Sequence, residues 1–103
     1  MKTYEGRRKG HVISVTVDSY PLNPRLDLRN HSPTGFEWGY GGSGPAQLAI
    51  AILADCIGEQ LALLHYQEFK RLVVAAFAHE RWTLTEVEIR EAISSADKHP
   101  TPP

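Results

Sequence analysis

Gly41-Gly42-Ser43-Gly44-Pro45 runs directly into Ala46 to Ile57, a stretch in which Gln47 and Asp55 are the only polar side chains. Pro45 has no amide N–H and a preset φ, so it suits the first turn of a helix. Ser43 or Gly44 then fits the N-cap. A helix that is apolar almost all round has no face to offer water, so it belongs at the centre of a core. Gly58 is placed to end it in a left-handed conformation. With 103 residues in total, one domain fits around that helix and two do not. The longest unbroken apolar run, Leu48 to Ala54, is far shorter than a bilayer span requires.

The flanking segments supply what packs on it. Ala62, Tyr66, Phe69, Val73 and Phe77 recur at helical spacing, which predicts an amphipathic helix from Glu59 to Phe77, paired with the first across the glycine corner. Ala78 to Arg81 reads as a loop. Thr85 and Glu88 form a capping box for a third helix, with Leu84 and Ile89 as its hydrophobic staple and Ile89 and Ile93 facing the core. At the N-terminus, Lys2 to Arg8 reads as a short strand. Ile13, Val15 and Val17 alternate with polar residues as a half-buried strand, and Arg7 to Gly10 forms the turn between the two. Tyr20 to Pro24 breaks the strand, because proline cannot donate to a ladder. Phe36 to Tyr40 alternates, but its flanking glycines favour an irregular loop. The expected fold is α+β: a short antiparallel hairpin, with room for a third short strand, packed on a helical hairpin and a C-terminal helix. Residues 1–97 form the domain and 98–103 a flexible tail.

The composition narrows the chemistry. The formal net charge of −1 shows neither the basic excess of a nucleic-acid binder nor strong acidity. Cys56, the one cysteine, sits in apolar sequence and reads as a small buried hydrophobe. The five histidines lack metal-ligand spacing, and no cofactor or metal is expected. Met1 to Glu5 carries no apolar stretch, so the expected location is cytoplasmic, without a membrane partner.

The polar loop from Arg25 to Gly44 holds the candidate binding residues: Arg25, Arg29, His31, Glu37, Trp38, Tyr40, Gly42, Ser43 and Gly44. It leads into a helix N-terminus, where unpaired N–H groups attract anions and glycine lets a ligand approach the backbone. Arg25 or Arg29 would partner such an anion. Gly-Gly-Ser-Gly-Pro is neither a Walker loop nor a dinucleotide fingerprint, so a purely structural corner is the competing reading. His31, Ser32 and Asp27 invite a triad reading, but adjacent His and Ser side chains rarely meet, and a turn in which His31 and Asn30 hydrogen-bond the backbone is the preferred reading. Trp38 reads as a cover for the open end of the core, and Tyr40 as a cover or a partner contact. Arg7, Arg8 and Lys9 form a basic tip able to touch phosphate or an acidic partner. No catalytic residues are assigned, and the chain is not expected to be an enzyme.

The stretch from Asp27 to Ala49, with Gly-Phe-Glu-Trp-Gly-Tyr-Gly-Gly-Ser-Gly-Pro-Ala-Gln-Leu-Ala at its centre, resembles a small family of uncharacterised bacterial and archaeal proteins. Tyr66-Gln67-x-Phe69-Lys70 and Trp82-x-Leu84 also look like its pattern. The resemblance implies a shared fold and a setting on phages, plasmids and integrated elements; it supplies no activity. The resulting expectation is a non-enzymatic accessory protein that binds a host protein complex, in its concrete form an anti-CRISPR-like inhibitor of a defence complex. The alternative is a small-ligand, nucleotide or phosphate binder using the Gly-rich loop. Nucleic-acid binding through Arg7, Arg8, Lys9 and Tyr40 ranks third.

Overall fold

The computed structural model describes residues 1–98. Strands β1 (Thr3–Lys9), β2 (Val12–Val17) and β3 (Tyr20–Pro21) are followed by helices α1 (Ser43–Ile57) and α2 (Glu59–Leu72). Strand β4 (Arg81–Thr85) and helix α3 (Glu86–Lys98) are the last elements of the described residues. All strand pairings are antiparallel, and the sheet order is β3-β2-β1-β4. The fold is α+β, with the expected hairpin widened on both sides into four strands. Lys98 closes α3; the rest of the expected tail lies outside the described residues.

The core is built around α1. Every residue from Gly44 to Ala54 is buried, as the nearly unbroken apolar run requires. One face of the sheet packs on it: Tyr4, Gly6, Val15, Trp82 and Leu84 are buried, while Arg7, Lys9, Val12, Ser14, Arg81 and Thr83 on the opposite face are exposed. Tyr4 reaches through to α1, where its hydroxyl donates to Asp55 Oδ2 at 2.6 Å; the same carboxylate binds Lys2 Nζ at 3.1 Å. Burial, and then the neighbouring Asp55 carboxylate, push the Tyr4 phenol far above its ordinary value. Cys56 is half-buried rather than fully buried as expected, and burial raises its thiol above the ordinary value.

Several expectations about the strands and the second helix need correction. The first hairpin turn is tighter than the Arg7 to Gly10 turn expected. β1 continues to Lys9, and Gly10 at φ 62° supplies the left-handed residue that a short hairpin loop needs. Tyr20–Pro21 does not simply break the sheet. Asp18 and Ser19, both at positive φ, turn the chain so that β3 pairs briefly at the outer edge, where the missing N–H of Pro21 costs no ladder bond. The second helix stops at Leu72 rather than Phe77, and a 3-10 turn over Val74–Ala76 follows. That tightening buries Val74 completely and swings Phe77 onto the Trp82 ring, with centroids 4.2 Å apart and planes inclined by 13°. Finally, Arg81 is not loop: it opens β4, which pairs with β1 in the register Gly6 opposite Trp82. The predicted capping box forms as expected. Thr85 N–H donates to Glu88 Oε1 at 2.9 Å, and Glu88 N–H donates to Thr85 Oγ1 at 3.2 Å.

Candidate functional site

The long loop between β3 and α1 carries the candidate residues, and two anchors hold it. The first is Gln47, one turn into α1 and fully buried. Its Oε1 accepts from the backbone N–H groups of His31 (2.8 Å) and Ser32 (3.1 Å). Its Nε2 donates to the carbonyls of Pro24 (2.6 Å) and Arg29 (3.0 Å). One amide thus satisfies four backbone groups of a segment that has no ladder of its own. The His31 ring lies against Tyr66, with Nε2 2.8 Å from the phenol oxygen. Arg25 is held by Asp27 and Glu59 through its Nη2, at 3.0 Å in each case, and Arg29 Nη1 donates to the carbonyl of Leu28 at 2.8 Å.

The second anchor joins the Gly-Phe-Glu-Trp-Gly-Tyr segment to the sheet. Trp38, 2% exposed, donates its indole N–H to the carbonyls of Ala78 (3.0 Å) and His79 (3.1 Å). Its ring meets Trp82 edge to face and carries the Arg8 guanidinium 4.7 Å from its centroid. Arg8 in turn grips Glu37 with both terminal nitrogens, Nη2 to Oε1 at 2.7 Å and Nη1 to Oε2 at 3.1 Å. The Arg8 hydrogen bonds hold the Glu37 carboxyl below the usual carboxylate range.

A depressed folded-state carboxyl contributes stability that is present above its unfolded pKa and lost as pH falls through the folded value. Replacing Arg8→Met should cost roughly 1–2 kcal/mol at neutral pH. The gap between the two proteins in urea-melt midpoints should close as the solution is acidified below the ordinary glutamate range. A gap that stays constant down to strongly acid pH would show that packing, not the ion pair, sets the loss.

Around this pair lies an open recess of about 310 Å³, lined by Arg8, Glu37, Trp38, Gly39, Tyr40, Phe77 and His79. Its walls combine the Trp38 and Phe77 rings with the Arg8–Glu37 pair and His79, and its rim carries Tyr40, which is 52% exposed. The structure therefore divides the sequence-derived candidates. Glu37, Trp38 and Tyr40 meet at the recess; Arg25, Arg29 and His31 belong to the Gln47-tethered segment. Gly42, rather than the expected Ser43 or Gly44, is the N-cap of α1, and it makes no side-chain cap bond, so the helix starts at Ser43. Gly44 is buried against Glu37, and a Cβ at Gly44 would sit 2.6 Å from the Glu37 Cβ. Its lack of a side chain thus serves the close passage of the loop over the helix end.

Sequence reasoning did not assign Arg8, Phe77 and His79 to this site, because they come from a strand end and a connecting loop remote in the chain. Gln47 was missed as an anchor, although a lone amide in an apolar helix is a legible signal of a buried polar contact. Arg7, Arg8 and Lys9 do not act together: alternation turns Arg8 inward to Glu37 and leaves Arg7 and Lys9 on the opposite face. Among the described residues no three His, Cys, Asp or Glu side chains gather as metal ligands, and no helix is long and apolar enough to cross a membrane.

No curated protein and no solved structure matches the chain. A family model does, over residues 4–95, a span that takes in the sheet, both anchors and the recess. On that match the chain belongs to the family of unknown function DUF6166.

Proposed function

We propose that this domain is a non-enzymatic binding protein that acts by docking on another protein, with the recess beside Tyr40 as its contact point. The observation that carries this reading is the placement of the Glu37-Trp38-Gly39-Tyr40 segment. The buried Trp38 anchors it, yet it presents Tyr40 to solvent at the mouth of a recess of mixed aromatic and polar lining. An anchored aromatic rim of this kind is where binding energy concentrates, because a Tyr adds large contact area at little entropic cost. Two charged groups of the recess, Arg8 and Glu37, are committed to each other, which supports binding over catalysis. The mobile-element setting that the family resemblance implies makes a host defence complex, such as a CRISPR effector, the concrete partner.

Calorimetric titration of the wild type and Tyr40→Ala into a purified effector complex tests this. Tyr40→Ala should weaken binding at least about tenfold, near 1.4 kcal/mol, while its melting temperature stays unchanged. Equal affinity of the two proteins would remove the recess from the interface. A thermal shift with nucleotides or phosphate, in the absence of any protein binding, would favour the small-anion reading instead.

A further inference from the structure

The face of the sheet turned away from the helices, together with the edge of β4 beside it, is a second surface, separate from the recess. Arg7 and Arg81 stand directly opposite each other on that face, with Lys9 one pleat further along β1. Like charges directly opposed across a strand pair are destabilising unless something anionic lies over them. Among the described residues neither guanidinium has an ion-pair or hydrogen-bond partner. Glu5 is the one carboxylate that strand alternation places on the same face of β1 or β4.

The two outer strands differ sharply. β3 has two residues, one of them Pro21, which blunts that edge against further pairing. β4 has five residues, contains no proline and follows no strand but β1. Arg8 N–H donates to the Glu80 carbonyl at 2.8 Å, and Glu86 N–H donates to the Lys2 carbonyl at 2.9 Å. These bonds bracket the β1–β4 ladder and set its phase, so the N–H and C=O of Arg81 and Thr83 point away from β1. Both residues are exposed. The Thr85 N–H, next in phase, is taken by the Glu88 carboxylate, which limits the open stretch to Arg81 and Thr83.

We propose that the free edge of β4 is a docking strand for an extended acidic segment of a protein partner, which joins the sheet as a fifth strand and sets carboxylates over Arg81 and Arg7. Backbone pairing supplies the direction, and alternate acidic side chains supply the match to the exposed cations. A nucleic-acid strand fits less well. This face of the sheet carries no aromatic ring for base stacking, the chain's net charge is −1, and a phosphodiester cannot reproduce the alternating N–H and C=O of a peptide edge.

The test is an amide NMR titration with an N-acetylated eight-residue peptide of alternating threonine and glutamate. The Arg81 and Thr83 amides should shift and gain exchange protection. Thr83→Pro, which removes an outward N–H while sparing the native ladder, should weaken binding at least about tenfold, and so should Arg81→Glu. Tyr40→Ala should bind as the wild type does, so that failure at the recess and failure here remain distinct. If Thr83→Pro does not fold, Arg81→Glu decides alone. No shift at millimolar peptide, equal binding of the lysine-threonine counterpart, or tighter binding of a DNA duplex to the same residues would each overturn the proposal.

Discussion

Gln47→Leu is expected to destabilise the protein by about 3 kcal/mol, a fall in melting temperature of roughly 12–24 °C for a domain of this size. The substitution keeps the volume of the side chain and its place in α1, so the loss is not one of packing. It strips partners from two N–H groups and two carbonyls that the amide satisfies at 2.6–3.1 Å. The segment they belong to cannot turn those groups to water without pulling away from the core. Gln47→Glu distinguishes this account from a general intolerance of change. It restores an acceptor but loses the donor to Pro24 and Arg29 and buries a charge, so it should be at least as damaging as leucine at neutral pH. Denaturant melts of the two variants measure both outcomes. A Gln47→Leu protein within about 1 kcal/mol of the wild type would show that the loop finds other partners.

Gly6→Ala should cost about 2–3 kcal/mol, although it adds one methyl group. A Cβ at Gly6 would lie 2.2 Å from Trp82 Nε1 and 2.3 Å from Cε2, inside the ring rather than beside it. The indole has nowhere to move, being stacked on Phe77 and met edge-on by Trp38. Among the described residues its buried Nε1 has no hydrogen-bond partner, the cost of laying the ring flat over the glycine. Glycine here serves space and not backbone freedom. The double variant Gly6→Ala, Trp82→Leu should therefore lose less than the sum of the two single changes by about 1 kcal/mol or more. Strict additivity, read from urea melts of the four proteins, would place the strain elsewhere.

These two residues also mark what the sequence made legible. The apolar run of α1, the glycine corner at Gly58 and the capping box at Thr85 are local signals, and each appears where its chemistry demands. β4 was harder to see. Trp82, Thr83, Leu84 and Thr85 do alternate, but five residues directly before a capped helix carry little periodic signal, and their partner lies at the opposite end of the chain. The Glu59 to Phe77 periodicity ran on past Leu72 because Val73 and Phe77 are apolar at helical spacing; stacking on Trp82 is served better by a 3-10 turn than by another helical one. At the site, sequence gathered the loop residues but not Arg8 or the Gln47 tether, since both depend on which side of a distant element faces the loop.

The pairing of Thr3 with Thr85 also shapes how the chain matures. Within this domain β1 receives its second neighbour, β4, only after the two strands and two helices between them in sequence order have been made, and such distant closure is slow because the intervening loop entropy must be lost first. Until then Gly6 lies open beside an empty groove, and the nascent hairpin and helices must stay in solution with one flank of the core still unfilled.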